Sequence, residues 1–295
     1  MSKNTLFLFY LMCVWVLSSC QTSSNGQQKS KDNTIAVSSF QYDLNTSQKI
    51  YTLPAVLDEI SGITFHPQHT EVIYAIQDEL GKLYSYSLLQ EKVIDEFTFG
   101  KSGDYEDVAT DGKYFYVLKS NGDIFYFPFD HKNDKSNVQV IKNLLPKGEY
   151  ESLAINPSNN TLHVLCKECK IDKSNGTLTG YILQLGENGS FDTTYKTFSL
   201  DINSLKSWKS DIGKSIKPSA ITYNAKTQEW FIISSIDKFL LVTDSDFNPK
   251  NLVSFQRRQF EQPEGLAINT KGELFISSEI GDSNSAALYQ FKSEI

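Results

Sequence analysis

Three glutamates and two serines occupy the same position in five copies of a short sequence motif. These residues are Ser61, Glu106, Glu151, Ser219 and Glu264, and each is followed two residues later by Ile, Val or Leu. Carboxylate and hydroxyl oxygens are the ligands that hard cations prefer. If the fold brings the copies together, this repeated position, which we call the column, could form a cation site. The alternative is that these glutamates accept hydrogen bonds from backbone amides of neighbouring repeats and bind only water.

The spacing of the column predicts the fold. Successive column residues are 45, 45, 68 and 45 residues apart, and a period of about 45 residues is typical of a four-stranded propeller blade. After a turn, a second apolar run follows each motif, at residues 72–76, 114–118, 162–166, 230–233 and 274–277. A third run follows at residues 83–86, 124–127, 181–185, 240–243 and 288–291. Strands joined in this order predict an all-β protein, a five-bladed β-propeller.

The two ends of the repeat array indicate how the ring closes. Only 31 residues follow Glu264, too few for a whole blade, whereas the strand-like segments 35–44 and 49–53 precede the first motif. We expect an N-terminal strand to complete the last blade, which removes a free sheet edge. The long interval holds 23 additional residues, around 186–216. A six-bladed alternative would need this surplus to form a degenerate blade; otherwise it is a lid or rim element, or an insertion without a role.

Five short segments carry a further signal, namely LDEISGI at 57–63, GDYEDVA at 103–109, CKE at 166–168, KPSAI at 217–221 and QPEGLA at 262–267. With these segments the chain resembles, from about Phe40 to Phe291, the SdiA-regulated (YjiK-like) family of bacterial β-propellers, which is distantly similar to NHL-repeat propellers. It implies a five-bladed propeller with a bound calcium ion. It implies no established biochemical activity, so the function has to be inferred from the residues.

The column is the expected place for this calcium. The first strand of each propeller repeat is usually the innermost, so the column should ring one end of the axial channel. Converging carboxylates repel one another unless a cation neutralises them, and Ca²⁺ accepts about six to eight oxygen ligands. Magnesium is an alternative, whereas the absence of His from the ring disfavours zinc. A neighbouring ring would contain Glu59, Asp104, Glu149, Lys217 and Gln262. We predict that the metal ligands are Glu59, Glu106, Glu151 and Glu264.

Further polar residues are expected at the mouth of the channel. Asp78, Lys167 and Glu279 follow the second apolar runs at similar offsets, and with Ser61 and Ser219 they could line this mouth. Solvated hairpin turns are the alternative for the first three. The mouth of such a monomeric propeller would bind a small molecule, a glycan or a protein. A metal-dependent hydrolase is the alternative function, by analogy of fold with propeller lactonases and phosphotriesterases.

The N-terminal residues are typical of an exported lipoprotein. An apolar run at 6–17 leads into Leu17-Ser18-Ser19-Cys20, which is similar to the bacterial lipobox, whose Cys is acylated. We expect a signal peptide at 1–19, a flexible tether at 20–34 that begins with lipidated Cys20, and the propeller at 35–295. The lipid would anchor the chain to a membrane of the bacterial cell envelope. An uncleaved membrane anchor is the alternative.

Composition and motifs exclude other classes of protein. The chain is 40% apolar, which argues against disorder, and its net charge of −7 without a Lys/Arg block argues against nucleic-acid binding. Cys166 and Cys169 form a C-x-x-C motif at the end of a predicted strand. A thioredoxin-like redox pair needs a helix N-terminus there, so we expect a structural disulfide or two free thiols.

Overall fold

Five antiparallel sheets of four strands make up the computed structural model, which describes residues 40–130, 134–256 and 259–294. The first strand, β1 (Lys49–Thr52), belongs to the last sheet. Blade 1 contains β2 (Ile60–Phe65), β3 (Val72–Gln77), β4 (Lys82–Ser87) and β5 (Lys92–Thr98). Blade 2 contains β6 (Tyr105–Thr110), β7 (Tyr114–Lys119), β8 (Ile124–Pro128) and β9 (Gln139–Ile141). Blade 3 contains β10 (Gly148–Asn156), β11 (Thr161–Cys169), β12 (Thr177–Leu185) and β13 (Phe191–Asp201). Blade 4 contains β14 (Ala220–Asn224), β15 (Glu229–Ser234), β16 (Phe239–Thr243) and β17 (Pro249–Ser254). Blade 5 contains β18 (Gln262–Ile268), β19 (Leu274–Glu279), β20 (Ala287–Phe291) and β1.

The blades close into a ring as the sequence predicts. β1 pairs antiparallel with β20, with Tyr51 opposite Leu288, so N-terminal chain completes the last blade. The first strands of the five repeats contact one another in order, and the last of them, β18, contacts the first, β2. These inner strands therefore surround the propeller axis. The five-bladed prediction is confirmed, and the six-bladed alternative is wrong.

The apolar side chains of the inner strands pack between blades. Five buried clusters each combine residues of two neighbouring blades. Aromatic rings fill much of this space: Phe97 of blade 1 and Phe127 of blade 2 have ring centroids 5.2 Å apart, a separation typical of favourable aromatic pairs. Each cluster contains one apolar residue that lies two positions after the column, namely Ile63, Val108, Leu153, Ile221 or Leu266.

Asp107 ties three inner strands together. Its carboxylate accepts hydrogen bonds from the backbone N–H of Val108 at 2.8 Å and from that of Leu153 in the next blade at 2.9 Å. On the other side, a Cβ atom at Gly62 of blade 1 would lie 2.4 Å from Asp107 Oδ1. Gly62 thus leaves the space that the carboxylate fills. Burial raises the pKa of Asp107 well above its ordinary value, and its two backbone bonds oppose this shift.

The additional residues of the third repeat form no blade of their own. Part of the surplus lies in the hairpin between β11 and β12, which contains helix α1 (Lys170–Asn175). The segment 186–216 provides β13, then a 3₁₀ helix (Ile202–Ser207), and then core residues between blades 3 and 4 such as Ile212. Two other 3₁₀ helices, Ala55–Leu57 and Lys135–Asn137, lie in connections.

The predicted signal peptide, lipidated Cys20 and tether lie outside the described residues. Within the described ranges, the chain has no helix that combines the length and the apolar character needed to cross a membrane.

Candidate functional site

β-Bulges set the direction of the column glutamates. In blade 2, Tyr105 lies opposite Lys119 and Asp107 opposite Leu118, so Glu106 is an extra residue without a cross-strand partner. Glu151 is skipped in the same way between β10 and β11, and Glu264 between β18 and β19. A bulge bends its strand and changes the direction of the extra side chain. The same local irregularity thus recurs at each column glutamate.

These side chains share one cavity of about 280 Å³, to which all five inner-strand repeats contribute. We call it the acidic cavity. It is lined by seven carboxyl groups, one lysine, two serines and one glutamine. Asp104, Glu149 and Gln262 are exposed at its rim, so the cavity opens to solvent. The lining residues are Ser61, Asp78, Asp104, Glu106, Glu149, Glu151, Lys167, Ser219, Gln262, Glu264 and Glu279.

Crowding of carboxyls in a poorly solvated space raises their pKa values. Burial, followed by the charges of Glu151 and Asp104, raises the pKa of Glu106 to about 9. Burial and the charge of Glu264 raise the pKa of Glu279 to about 8. Burial and the charge of Glu151 raise the pKa of Glu264 to about 7, although a hydrogen bond with Ser235 opposes the shift. The cavity thus disfavours several simultaneous negative charges unless a cation is present.

Lys167 is the one lysine that lines the acidic cavity within the described ranges. Its Nζ lies 2.5 Å from Glu151 Oε1 and 3.8 Å from Glu149 Oε1. Burial raises the pKa of Glu151, and the bond with Lys167 counteracts this effect. The ammonium therefore neutralises one side of the cavity, whereas Glu106, Glu264 and Glu279 keep strongly raised pKa values.

The two column serines differ in their hydrogen bonding. Ser219 donates a hydrogen bond of 2.7 Å to the carbonyl oxygen of Pro263 in the next blade. Ser61 also lines the cavity and is only 5% exposed, yet its hydroxyl makes no hydrogen bond to another described residue. A cavity-lining hydroxyl without a protein partner is a ready oxygen donor for a ligand in the cavity.

The structure brings together most of the residues that the sequence singles out. Of the predicted metal ligands, Glu106, Glu151 and Glu264 line the cavity, whereas Glu59 does not. Glu59 is exposed, and its charge contributes to the raised pKa values of Asp78 and Glu279. All of the residues that we expect at the mouth, Ser61, Asp78, Lys167, Ser219 and Glu279, line the cavity.

Two members of the predicted neighbouring ring, Glu59 and Lys217, lie outside the cavity lining. Lys217 pairs instead with Glu168, with Nζ 2.5 Å from Oε1. Asp104 and Glu149 line the cavity, as the neighbouring ring predicts, although neither is one of the predicted metal ligands. Their position two residues before the column was the available indication, because alternate strand residues share a face.

The donor set fits a hard cation by its chemistry. The lining supplies carboxylate and hydroxyl oxygens and neither a thiolate nor an imidazole. The side chains are more widely spaced than in a closed metal site, because no three carboxylates of the described residues have oxygens within 4.8 Å of one another. Among the residues that the structure describes, the one group with ligand atoms this close together is Cys166, Cys169 and Asp172, and it is not a metal site because its cysteines form a disulfide. That disulfide is one of the two states that the sequence left open.

A second cavity of about 420 Å³ lies at the opposite ends of the inner strands, towards residues such as Phe65, Ile155 and Ile268. Its lining is shared by all five repeats and includes the apolar residues two positions after the column. No carboxyl group of the acidic cavity lines it. The two ends of the propeller axis therefore differ in chemistry.

Comparisons with known proteins agree with this architecture. The sequence matches the model of the SdiA-regulated family over residues 32–283. No curated protein matches the sequence significantly. The structure is similar to glutaminyl cyclase of Myxococcus xanthus, with 13% identity over 84% of this chain and 95% of that chain and a TM-score of 0.57. It is also similar to a luciferin-regenerating enzyme, with 12% identity, coverage of 83% and 95%, and a TM-score of 0.51. For the Cps50 (Swd1) β-propeller domain of Myceliophteria thermophila, the identity is 9%, the coverage 77% and 65%, and the TM-score 0.43. At these identities the likeness concerns the fold alone.

Proposed function

The chain belongs to the SdiA-regulated family of β-propellers, and on that premise we propose that it binds a calcium ion in the acidic cavity and recognises a ligand at the adjoining mouth. The observation that carries the proposal is the set of partly buried carboxyls with raised pKa values, Glu106, Glu264 and Glu279, in a cavity that contains a single lysine among the described residues. Placing so many like charges in a poorly solvated cavity is costly without a counter-ion, so a divalent cation would offset the repulsion among these carboxylates.

The column glutamates are the proposed first ligands. Glu106, Glu151 and Glu264 would supply carboxylate oxygens, and Ser61 would supply its hydroxyl. Glu279 lies close enough to Glu264 for the two carboxyl groups to interact electrostatically. Glu59 lies outside the cavity lining and would attract the ion only through its negative charge. Calcium is preferred to magnesium because widely spaced side chains of several lengths suit its variable coordination, whereas magnesium demands near-octahedral geometry.

The mouth is the proposed recognition surface. The exposed rim residues Asp104, Glu149 and Gln262 surround the opening. A cation below this rim would favour partners that carry carboxylate or hydroxyl groups, such as a glycan, an acidic small molecule or a protein loop. When bound, the metal would supply a positive charge at the floor of an otherwise acidic opening, and the rim would select by hydrogen bonding.

Calcium titration of the metal-free protein tests the proposal. Isothermal titration calorimetry with CaCl₂ should give one binding event, and melting should shift upward with calcium concentration. Glu106→Gln and Glu264→Gln should each weaken binding by at least about tenfold, the lower end of the loss seen when even an outer partner of a metal ligand is removed. Glu187→Gln, on an exposed turn, is the matched control and should bind as the wild type does. Absence of calcium binding by the folded wild type would falsify the proposal.

Metal-dependent hydrolysis is a second candidate function, because Glu279, which is not one of the proposed first ligands, has a pKa raised to about 8. A carboxylic acid that stays protonated near neutral pH can serve as a general acid. Assays with lactone and phosphotriester substrates in the presence of calcium test this candidate. Turnover that Glu279→Gln abolishes while calcium binding persists would support a hydrolase. Turnover no faster than the uncatalysed reaction in buffer would exclude hydrolysis of these substrates and leave ligand binding as the proposed function.

The proposed site of action is the bacterial cell envelope. Acylation of Cys20 would place the propeller at a membrane through the 20–34 tether. The test is fractionation of cells that express the wild type or Cys20→Ser, with mass spectrometry of the N-terminal peptide. We expect a membrane-associated, lipid-modified wild type and a membrane-free variant, and equal distribution of the two chains would refute the anchor.

A further inference from the structure

Lys167 and Glu151 are the extra residues of two adjacent bulges in one hairpin. Glu149 lies opposite Glu168 and Tyr150 opposite Cys166, so Lys167 is skipped on β11. The next pair joins Ser152 to Leu165, so Glu151 is skipped on β10. The two skipped side chains meet in the acidic cavity at 2.5 Å. A lysine is therefore directed into the cavity by the same backbone device that directs the glutamates.

The chain on both sides of Lys167 is restrained. The Cys166–Cys169 disulfide spans this residue and packs against the start of β10, where a Cβ atom at Gly148 would lie 2.7 Å from Cys169 Sγ. The neighbouring Glu168 points elsewhere and pairs with Lys217 at 2.5 Å and with Lys173 at 3.7 Å. These contacts hold the Lys167 backbone beside the strand that carries Glu149 and Glu151.

The rest of the cavity still offers donors for a second cation. Ser61 is nine-tenths buried, lines the cavity and has no hydrogen-bond partner among the described residues. Glu106, Glu264 and Glu279 line the same space. A divalent ion placed there would share Glu151 with the Lys167 ammonium and would be repelled by it.

We propose that Lys167 is a built-in cation of the site that competes with the divalent ion for Glu151, and that the Cys166–Cys169 disulfide keeps it in place. This inference rests on the proposed calcium-binding function and adds the residue that sets its affinity. Lys167 offsets part of the negative charge of the cavity when no metal is bound. In doing so it weakens calcium binding, so the site fills only at higher calcium concentrations than its carboxylates alone would require.

Calorimetric titration with CaCl₂ of the full chain and of two Lys167 variants tests the proposal. Lys167→Met removes the charge but keeps an unbranched side chain, and it should bind calcium at least about tenfold more tightly than the wild type. Lys167→Arg keeps the charge and should stay within about threefold of the wild type. The metal-free Lys167→Met variant should melt lower than the wild type and gain more from calcium, because it lacks the internal counter-ion.

The outcomes separate this inference from the function on which it rests. Calcium binding by the wild type that Lys167→Met leaves unchanged or weakens overturns the role of Lys167 and leaves the calcium site intact. Binding by Lys167→Met alone means that the lysine already fills the site, which supports the inference and removes calcium as the wild-type ligand. Failure of both folded proteins to bind calcium overturns both proposals.

A cysteine variant tests the tether. Cys166→Ala combined with Cys169→Ala should raise calcium affinity to a value between those of the wild type and Lys167→Met, because the freed hairpin lets the ammonium leave. Circular dichroism establishes that the variant is folded. An affinity equal to that of the wild type overturns the role of the disulfide.

Discussion

Lys167 Nζ lies 2.5 Å from Glu151 Oε1, and each residue is the unmatched member of a bulge in the β10–β11 hairpin. The pairing explains why blade 3 differs electrostatically from blades 2 and 5, whose column glutamates have no lysine partner of this kind in the described chain. The Lys167 ammonium thus neutralises one side of the acidic cavity, whereas the carboxyls on the other side, Glu106, Glu264 and Glu279, have raised pKa values that favour their uncharged forms.

We predict that the metal-free protein loses stability as pH rises from about 5 to about 9. The pKa values of Glu264, Glu279 and Glu106 rise from 4.5 to about 7, 8 and 9, so the folded chain binds these protons more tightly than the unfolded chain does. Their stabilising contribution is complete below the unfolded pKa and is lost as pH passes through the folded values. Differential scanning calorimetry in a chelator should show a melting temperature at least about 5 °C lower at the alkaline end.

Two controls identify the groups responsible for this pH dependence. The triple variant Glu106→Gln, Glu264→Gln and Glu279→Gln should flatten the decline, and added calcium should flatten it in the wild type. A decline of the same slope in the triple variant would assign the effect to other groups.

Glu106→Gln should separate stability from metal binding. At pH 7.5 the metal-free wild type holds Glu106 protonated, because its pKa is raised to about 9, and glutamine is a neutral side chain of the same size. Urea unfolding in a chelator should therefore give a free energy of unfolding within about 1 kcal/mol of the wild type or above it. In millimolar calcium the variant should gain less stabilisation than the wild type does, because it binds the ion more weakly. A loss of several kcal/mol without calcium would contradict the protonated state.

Removal of the Asp107 carboxylate should destabilise the ring. Asp107→Ala leaves the buried N–H of Leu153 without its acceptor and opens a space beside Gly62. We expect a loss of about 2–4 kcal/mol in urea unfolding, and a smaller loss for Asp107→Asn, which keeps an acceptor oxygen. Asp192→Ala, on the exposed side of β13, is the control. Equal stability of the Asp107 and Asp192 variants would show that the inter-strand bonds contribute little.

The sequence predicts the ring better than it predicts the site. A 45-residue period and an incomplete last repeat are global features, so blade number and closure by β1 follow from counting. The orientation of Glu59 depends on local backbone geometry, which residue types do not reveal: Ile60 lies opposite Gln77 and Ile63 opposite Ala75, so β2 has a bulge directly after Glu59. The partner of Lys167 depends on two coincident bulges, and a shift of one residue in either would direct its side chain elsewhere. The repeat spacing places the surplus of the third repeat in one segment, 186–216, whereas the structure divides it between the β11–β12 hairpin and the residues that follow β13.

Closure of the ring should depend on Tyr51 of β1. Its side chain is 4% exposed, its hydroxyl donates a 3.0 Å hydrogen bond to Gln290, and its ring lies 6.4 Å from that of Tyr86 in blade 1. Tyr51 therefore joins the first and last blades. Tyr51→Ala should cost about 3–5 kcal/mol of unfolding free energy, whereas Tyr51→Phe should cost about 1 kcal/mol for the lost hydrogen bond.

The neighbouring residue provides a control for this closure within the same strand. Ile50 pairs with Tyr289 in the same ladder but is 55% exposed, so Ile50→Ala should change the unfolding free energy by no more than about 0.5 kcal/mol. Urea unfolding followed by tryptophan fluorescence measures all three variants, because Trp230 is buried in blade 4, away from the substitutions. If Tyr51→Ala is as mild as Ile50→Ala, packing of β1 against blade 1 does not stabilise the closed ring.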